Sequence, residues 1–360
     1  MYVYYTMYFL WMISYLFSTS LISDVEKRKR FCSFVCFLTA FLMLAFRSQR
    51  MGSDLHYDKD FGYLGAFESI AKIPFMQVLK MKFYNYEKGF IIFTSLVGKI
   101  CNNRQFFLAV CAFFSLAPIS KTIQRKQNMP VFSHIILLGL PSFLITFSGL
   151  RQALAIAICF YSLKYIERKE LKKFILIIIF ACFFHYSAFI FFIAYPLYWF
   201  KVNKTVRALS ILLILFIYAF KRPLFKLLSR LFIKSVVFVN TGAFTLFAVF
   251  MTIYILCSVI IHSNKDTREF ESDNGLLNLF FAACFCQVFS SLYNTAMRVG
   301  YYFMPFICLL LPQVTQRINK KSAFILKTTI GLCFIIYALY SFRNSTWAMT
   351  YPYLFFWETI

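Results

Sequence analysis

The sequence predicts an all-α polytopic membrane protein, and three observations carry that expectation. Of 360 residues, 61% are hydrophobic and 21% aromatic, with 49 Phe, against roughly 45–50% apolar residues in an average soluble domain. Apolar runs approaching the ~20 residues that cross a hydrocarbon core of about 30 Å recur from Tyr2 to the turn before Arg343. Lys and Arg, which leave a formal net charge of +24, gather in short loops between those runs, where they orient spans and meet anionic headgroups. That placement speaks against nucleic acid as a partner and for membrane lipids. No stretch is polar enough for a separate soluble domain, so residues 1–360 are expected to form a single integral membrane domain.

The elements follow from the loops. Tyr2 to Ile22 has no basic stretch ahead of it and no small-residue cleavage site behind it, so it reads as a retained span rather than a signal peptide. "SDVEKRKR" (Ser23 to Arg30) is dense in Lys and Arg and is therefore cytoplasmic, which puts the N-terminus outside. Phe31 to Phe46 returns outward, and 47–88 becomes a long outer loop carrying a substrate motif. Residues 89–120 read as two short helices broken at Asn102 and Asn103, one of them on or dipping into the outer leaflet. "KTIQRK" (Lys121 to Lys126) is cytoplasmic, Val131 to Phe147 runs outward, and Arg151 arrives at the outer face. "YIERKELKK" (Tyr165 to Lys173) is cytoplasmic again.

Phe174 to Phe200 is flanked by basic loops on both sides. One straight helix would be about 40 Å long and each arm of a hairpin about 20 Å; the hairpin is the reading taken, with His185 at its apex. Beyond Lys201 the charge rule hardly separates the two orientations. The hairpin gives about twelve transmembrane or half-membrane helices, both termini outside, with "LYNTAMRVGYY" (Leu292 to Tyr302) and "TYPYLFFW" (Thr350 to Trp357) at the outer surface. The eleven Cys lie almost wholly inside apolar runs, where Cys acts as a small hydrophobe. Neither a disulfide framework nor a zinc spacing is present.

The consequence of this topology is a convergence. Arg50, Asp54, Glu87, Arg151, His185 and Arg298 all fall on the outer side, and ionisable groups set against apolar runs tend to line cavities or pathways. In "RQALAIA", Ala153 and Ala157 make a small-residue edge suited to close helix packing, so Arg151 is expected to face protein; its planar guanidinium suits a phosphate. His185, at the expected break, can act as acid or base near neutrality. The loop "RMGSDLHYDKDFGY" offers Asp54, His56, Tyr57, Asp58 and Asp60 as acceptors for sugar hydroxyls, with aromatic faces for sugar rings. Its spacing is not that of a calcium loop, so no metal is assigned. Glu87 in "YEKGF" stands at a helix start, where the dipole favours a carboxylate. No phosphate-binding Gly-rich loop, dinucleotide fingerprint, serine elbow or HExxH is present, which takes support from ATP-driven and hydrolase readings.

The ordered set resembles a known family. Arg50, Gly52, Asp54 and Tyr57; Glu87, Gly89 and Phe90; Arg151, Gln152, Leu154 and Ala155; Phe184, His185, Ser187 and Ala188; then Arg298 and Tyr302 together resemble the EpsG-like family of Wzy-type polysaccharide polymerases, over nearly the whole chain. The opening motif departs in reading "GSD" then "LHY", so Asp54 and Tyr57 align more securely than His56.

The resemblance implies a bacterial cytoplasmic-membrane enzyme with a fold akin to the lipid-dependent GT-C glycosyltransferases. Such an enzyme joins oligosaccharide repeat units carried on undecaprenyl pyrophosphate, donor and acceptor alike, at the outer face. It implies Arg151 and Arg298 against the leaving pyrophosphate, His185 or Asp54 as base, and Glu87 and Tyr57 orienting sugars, with Arg50, Gln152 and Tyr302 also toward substrate. No metal or cofactor is called for, since pyrophosphate is already a good leaving group. A chain-length regulator and a flippase are possible assembly partners. Rival readings are a ligase using the same donor, an integral O-acyltransferase, and a flippase or transporter; the last would favour repeated halves, and no clear internal repeat is present.

Overall fold

The computed structural model describes residues 1–56, 62–83, 86–232, 243–263 and 270–358. Tyr57, Asp58 and Asp60 of the opening motif lie outside the described residues. The described chain is helical and has no strand, with one isolated antiparallel bridge between Arg47 and Phe355. Among the described residues, three helices are long and apolar enough to cross a membrane: Arg104–Lys126, Phe244–Ser263 and Lys320–Asn344. Lys204–Ala219 and Lys221–Leu227, bent by 79° at their junction, make a fourth if they are one span. The chain forms two compact units, Met1–Phe192 with Thr328–Ile360, and Ile193–Lys327.

In the first unit the helices that matter for the site are α1 (Tyr2–Leu21), α2 (Val25–Ala45), α3 (Tyr63–Lys72), α4 (Lys88–Ile100), α5 (Arg104–Lys126), α6 (Pro130–Leu138), α7 (Leu150–Tyr161) and α8 (Leu171–Phe184). Side-chain caps set two of the starts. Asp24 accepts the Glu26 and Lys27 N–H groups at 2.8 and 3.1 Å, and Asn103 accepts those of Gln105 and Phe106 at 2.8 and 3.0 Å, satisfying donors that a helix start leaves open. The break at Asn102 and Asn103 is therefore present, but α5 is 23 residues long and not short. Asn103 restarts the helix and no helix breaker stops it, since Pro118 is accommodated inside.

α5 packs between α2 and α7, and α7 also packs on α8. Ala153 and Ala157 of α7 are buried, as a close-packing edge requires. Val131 to Phe147 is not one helix: α6 ends at Gly139, and a short helix, Pro141–Leu144, follows. Phe334 presses on Gly139, where an added Cβ would stand 2.6 Å from the ring.

His185 ends α8 in an extended conformation, φ −154°, and a 3-10 helix, Tyr186–Ile193, follows. The ring of Phe174 lies 6.3 Å from those of both Phe191 and Phe192. In a continuous helix, residues 17 and 18 positions apart would be about 25 Å apart. The chain therefore doubles back at His185, as the hairpin reading expected.

The C-terminal segment is tied to the same unit. Tyr4 Oη donates to the Thr350 carbonyl at 2.6 Å, and the Ser48 N–H donates to the Leu354 carbonyl at 2.7 Å. Beside this segment Arg47 is buried, donating to the Thr146 carbonyl at 2.9 Å and sitting 5.0 Å from the Phe147 ring centroid.

In the second unit, Phe244–Ser263 packs against the helix Phe270–Val288. Its buried charges are engaged, as burial demands. Arg317 Nε donates to Asp273 at 2.5 Å, and Arg207 donates to Tyr254 Oη at 2.8 Å and to Asn274.

Candidate active site

Glu87 occupies the N-cap position of α4, yet its side chain makes no cap hydrogen bond to that helix. Both carboxylate oxygens turn outward instead. Oε2 accepts from Arg151 Nη1 at 2.6 Å; Oε1 accepts from His185 Nδ1 at 2.9 Å and from the Tyr186 N–H at 3.0 Å. The helix-start role expected for a carboxylate at this position is thus not the one its hydrogen bonds serve.

Three local features bring these groups together. Gly89 lets α4 approach α8 closely: an added Cβ would meet Phe183 Cβ at 2.6 Å and its carbonyl oxygen at 2.8 Å. The extended backbone at His185 points the Tyr186 N–H at the carboxylate. Arg151, in the first turn of α7, is fixed from two further sides. Its Nε donates to Tyr63 Oη at 3.2 Å, and its guanidinium carbon lies 4.4 Å from the centroid of the Tyr86 ring. Tyr63 and Tyr86 stack on each other at 5.7 Å. Arg151 therefore faces protein and is only 18% exposed, as the small-residue edge of α7 suggested.

Electrostatics keep the carboxylate ionised. Burial pushes the Glu87 carboxyl upward, but the hydrogen bonds from His185 and from the Tyr186 N–H, with the Arg151 charge, outweigh it and hold the group down to about 2. An ionised carboxylate only accepts hydrogen bonds, so Nδ1 of His185 must carry the proton it donates. In a neutral imidazole that leaves Nε2 as the acceptor. Among the described residues no hydrogen bond occupies Nε2.

Asp54 sits beside this network through a second constellation. Gly52 adopts φ +115°, and an added Cβ would fall 2.0 Å from the Phe147 carbonyl oxygen, a position open only to Gly. The resulting turn lays 53–55 against the residues before α7. The Asp54 N–H donates to Ser148 Oγ at 3.2 Å, Ser53 Oγ donates to Asp54 Oδ1 at 3.1 Å, and the two serine hydroxyls are 3.0 Å apart. The Asp54 charge acts on the hydroxyls of both Tyr63 and Tyr86. Ser148 is one helical turn before Arg151, so one short stretch serves both constellations.

The other candidates are distributed differently. The Arg50 N–H donates to Ser48 Oγ at 3.3 Å in the same loop as Asp54, and Gln152 is buried on α7. Arg298 is an exposed residue of the short helix Asn294–Gly300 in the second unit, and Tyr302 of that unit is fully buried. Sequence reasoning missed Tyr63, Tyr86 and Ser148. The available signals were a tyrosine directly before Glu87 and a hydroxyl three residues before Arg151.

Compared with known protein families, residues 30–355 match the EpsG family. The chain belongs to the EpsG family. Among curated proteins and among solved structures no match was found. The EpsG match includes Asp54, Glu87, Arg151 and His185, so every residue of the two linked constellations falls inside the family region. EpsG membership suggests a polysaccharide polymerase-like role of the glycosyltransferase kind.

Proposed function

We propose that this EpsG-family protein polymerises polysaccharide by joining oligosaccharide repeat units carried on undecaprenyl pyrophosphate, at the outer face of a bacterial cytoplasmic membrane. The observation that carries this reading is the Glu87 carboxylate, bonded at once by Arg151 and His185, 64 and 98 residues away. Three separate motifs of the family resemblance thereby meet at one point. The proposal includes a fold akin to the GT-C glycosyltransferases, with about twelve transmembrane or half-membrane helices when the shorter apolar helices are counted with the long ones.

In the proposed reaction, the hydroxyl oxygen of the acceptor sugar attacks the anomeric carbon of the donor. The bond from that carbon to the pyrophosphate oxygen breaks, and its electron pair leaves with undecaprenyl pyrophosphate. The hydroxyl proton passes to His185 Nε2, the acceptor nitrogen left when Nδ1 donates to Glu87. Glu87 orients the imidazole and stabilises the imidazolium that forms, as carboxylate partners of catalytic histidines do. Arg151 neutralises charge on the leaving pyrophosphate, while Arg50, Tyr57 and Gln152 contact substrate. Asp54 is the alternative base. A variant Asp54→Asn that keeps near-normal activity while His185→Ala loses it assigns the base to His185, and the reverse assigns it to Asp54.

The test is the length distribution of lipid-linked or surface glycan on a gel. Cells lacking the gene are compared with cells complemented by wild type or by Arg151→Ala at matched membrane abundance. A multi-repeat ladder with wild type, collapsing to single repeats in the null and in the variant, supports the reading. Long chains that persist in the null, with no redundant enzyme, overturn it in favour of acyl transfer or transport.

A further inference from the structure

At the opposite end of α7 from Arg151, the first unit carries a polar cavity that the proposed chemistry does not use. It has a volume of about 370 Å³ and is lined by Lys29, Arg30, Lys121, Arg125 and Lys164, with Glu26 as its only carboxylate. The cations come from three places in the chain: the first turns of α2, the last turns of α5, and the short helix Leu163–Glu167 that follows α7. These are the basic segments that the charge rule assigns to one side of the membrane.

The ion pairs account for only part of this charge. Lys29 is paired with Glu26 at 3.1 Å, and Glu167 takes Arg125 at 3.3 Å and Lys126 at 2.7 Å. Among the described residues Arg30, Lys121 and Lys164 form no salt bridge, the Asp24 charge reaching Arg30 only at longer range. Lys164 is held by Tyr161 instead, donating to its hydroxyl at 2.6 Å with the ring centroid 3.8 Å from Nζ. Three cations without a salt bridge on one concavity, with Glu26 the one carboxylate in its lining, describe a site for a phosphate-bearing anion.

A neighbouring cavity says what that anion is attached to. Arg30, Lys121 and Gln124 line both cavities. The second, of about 350 Å³, runs between α2 and α5 along Phe34, Phe37, Phe113 and Ala117, and Phe34 and Phe113 are exposed. A basic pocket opening directly onto an aromatic groove between two helices matches the two halves of one amphiphile, headgroup and acyl chain. A free phosphate would have no use for the groove.

We propose that this composite cavity binds an anionic phospholipid of the cytoplasmic leaflet, with its phosphate among Arg30, Lys121 and Lys164 and an acyl chain against Phe37 and Phe113. The lipid bridges α2, α5 and the segment after α7. It thereby ties the cytoplasmic end of α7, whose other end carries Arg151, to α2 and α5. The assignment does not depend on the reaction catalysed there.

The test uses the full chain in zwitterionic detergent. Binding of phosphatidylglycerol, phosphatidylcholine, glycerol phosphate and inorganic phosphate is followed by native mass spectrometry and by thermal shift. Wild type should bind phosphatidylglycerol in preference to phosphatidylcholine. Arg30→Ala with Lys121→Ala, both at exposed positions, should weaken phosphatidylglycerol on the order of tenfold or more, and Phe37→Ser should weaken it without affecting either water-soluble phosphate. Arg151→Ala should leave lipid binding unchanged, so that failure here is distinguishable from failure of the polymerase reading. Equal binding of the two lipids, or no loss in the double variant, overturns the site. Glycerol phosphate or inorganic phosphate stabilising the protein as strongly as phosphatidylglycerol overturns the lipid assignment in favour of a soluble anion.

Discussion

The Glu87 carboxylate stands 2.6 Å from Arg151 Nη1 across 64 residues of chain, and the same carboxylate holds His185 by its other oxygen. A cation, an anion and an imidazole are thus organised around one side chain. Glu87→Gln tests what the charge does. Gln can turn its amide NH₂ toward Nδ1, which must then accept, leaving Nε2 protonated and unable to act as a base. Polymerising activity should fall by about 10²-fold or more at unchanged membrane abundance, measured as repeat units joined per unit time.

Gly89 sets the distance between α4 and α8. Gly89→Ala places a methyl group 2.6 Å from Phe183 Cβ and forces the helices apart, which in a packed interface costs about 1–3 kcal/mol. Thermal unfolding in detergent should shift downward. Activity should fall further than the shift accounts for, because Glu87 leaves the reach of His185.

Tyr63→Phe removes the hydroxyl that accepts from Arg151 Nε at 3.2 Å and keeps the ring stacked on Tyr86. Loss of one hydrogen bond to a charged group is worth about 1.5–3 kcal/mol. The effect should be smaller than that of Glu87→Gln, and the chain should remain folded with the aromatic stack intact. Activity equal to wild type would show that Glu87 alone fixes the guanidinium.

The pH dependence has a definite sign. Glu87 is held at about 2, below its ordinary value of 4.5, so its contribution to stability is fully present above that ordinary value and is lost as pH falls through about 2. The difference in melting temperature between wild type and Glu87→Gln should persist from pH 5 to 8 and shrink only in more acid solution. A difference that disappears between pH 5 and 6 would contradict the assigned environment.

Asp273, in the second unit, offers a control outside the Glu87 network. It is fully buried and accepts from Arg317 at 2.5 Å. Asp273→Ala strands a buried guanidinium and should destabilise the protein by about 3–5 kcal/mol. A double replacement by Leu and Met should recover much of that loss.

How far the sequence goes is visible in these same residues. The all-α fold, the break at Asn102 and Asn103 and the reversal at His185 were legible because apolar runs, basic loops and helix length obey local rules. The candidates Glu87, Arg151, His185 and Asp54 were legible as polar groups set against apolar runs. Their pairing was not, since nothing local states that Glu87 neglects its own helix to bind two residues far along the chain. Ser148, Tyr63 and Tyr86 stayed hidden for a similar reason: a serine and two tyrosines have many ordinary uses, and only the packing of 53–55 against Ser148 and the contacts of Arg151 with the two rings give them this one. The division into two compact units was equally invisible, because hydrophobic runs of one kind fill both.

The most direct measurement places the purified chain in lipid vesicles with an undecaprenyl-pyrophosphate-linked repeat unit as its only substrate. Product length and released undecaprenyl pyrophosphate are followed together for wild type, Glu87→Gln and His185→Ala. The prediction is one undecaprenyl pyrophosphate released for each linkage formed by wild type, with both variants at background. Wild-type rates of elongation in both variants, at normal thermal stability, would contradict a catalytic centre built on Glu87.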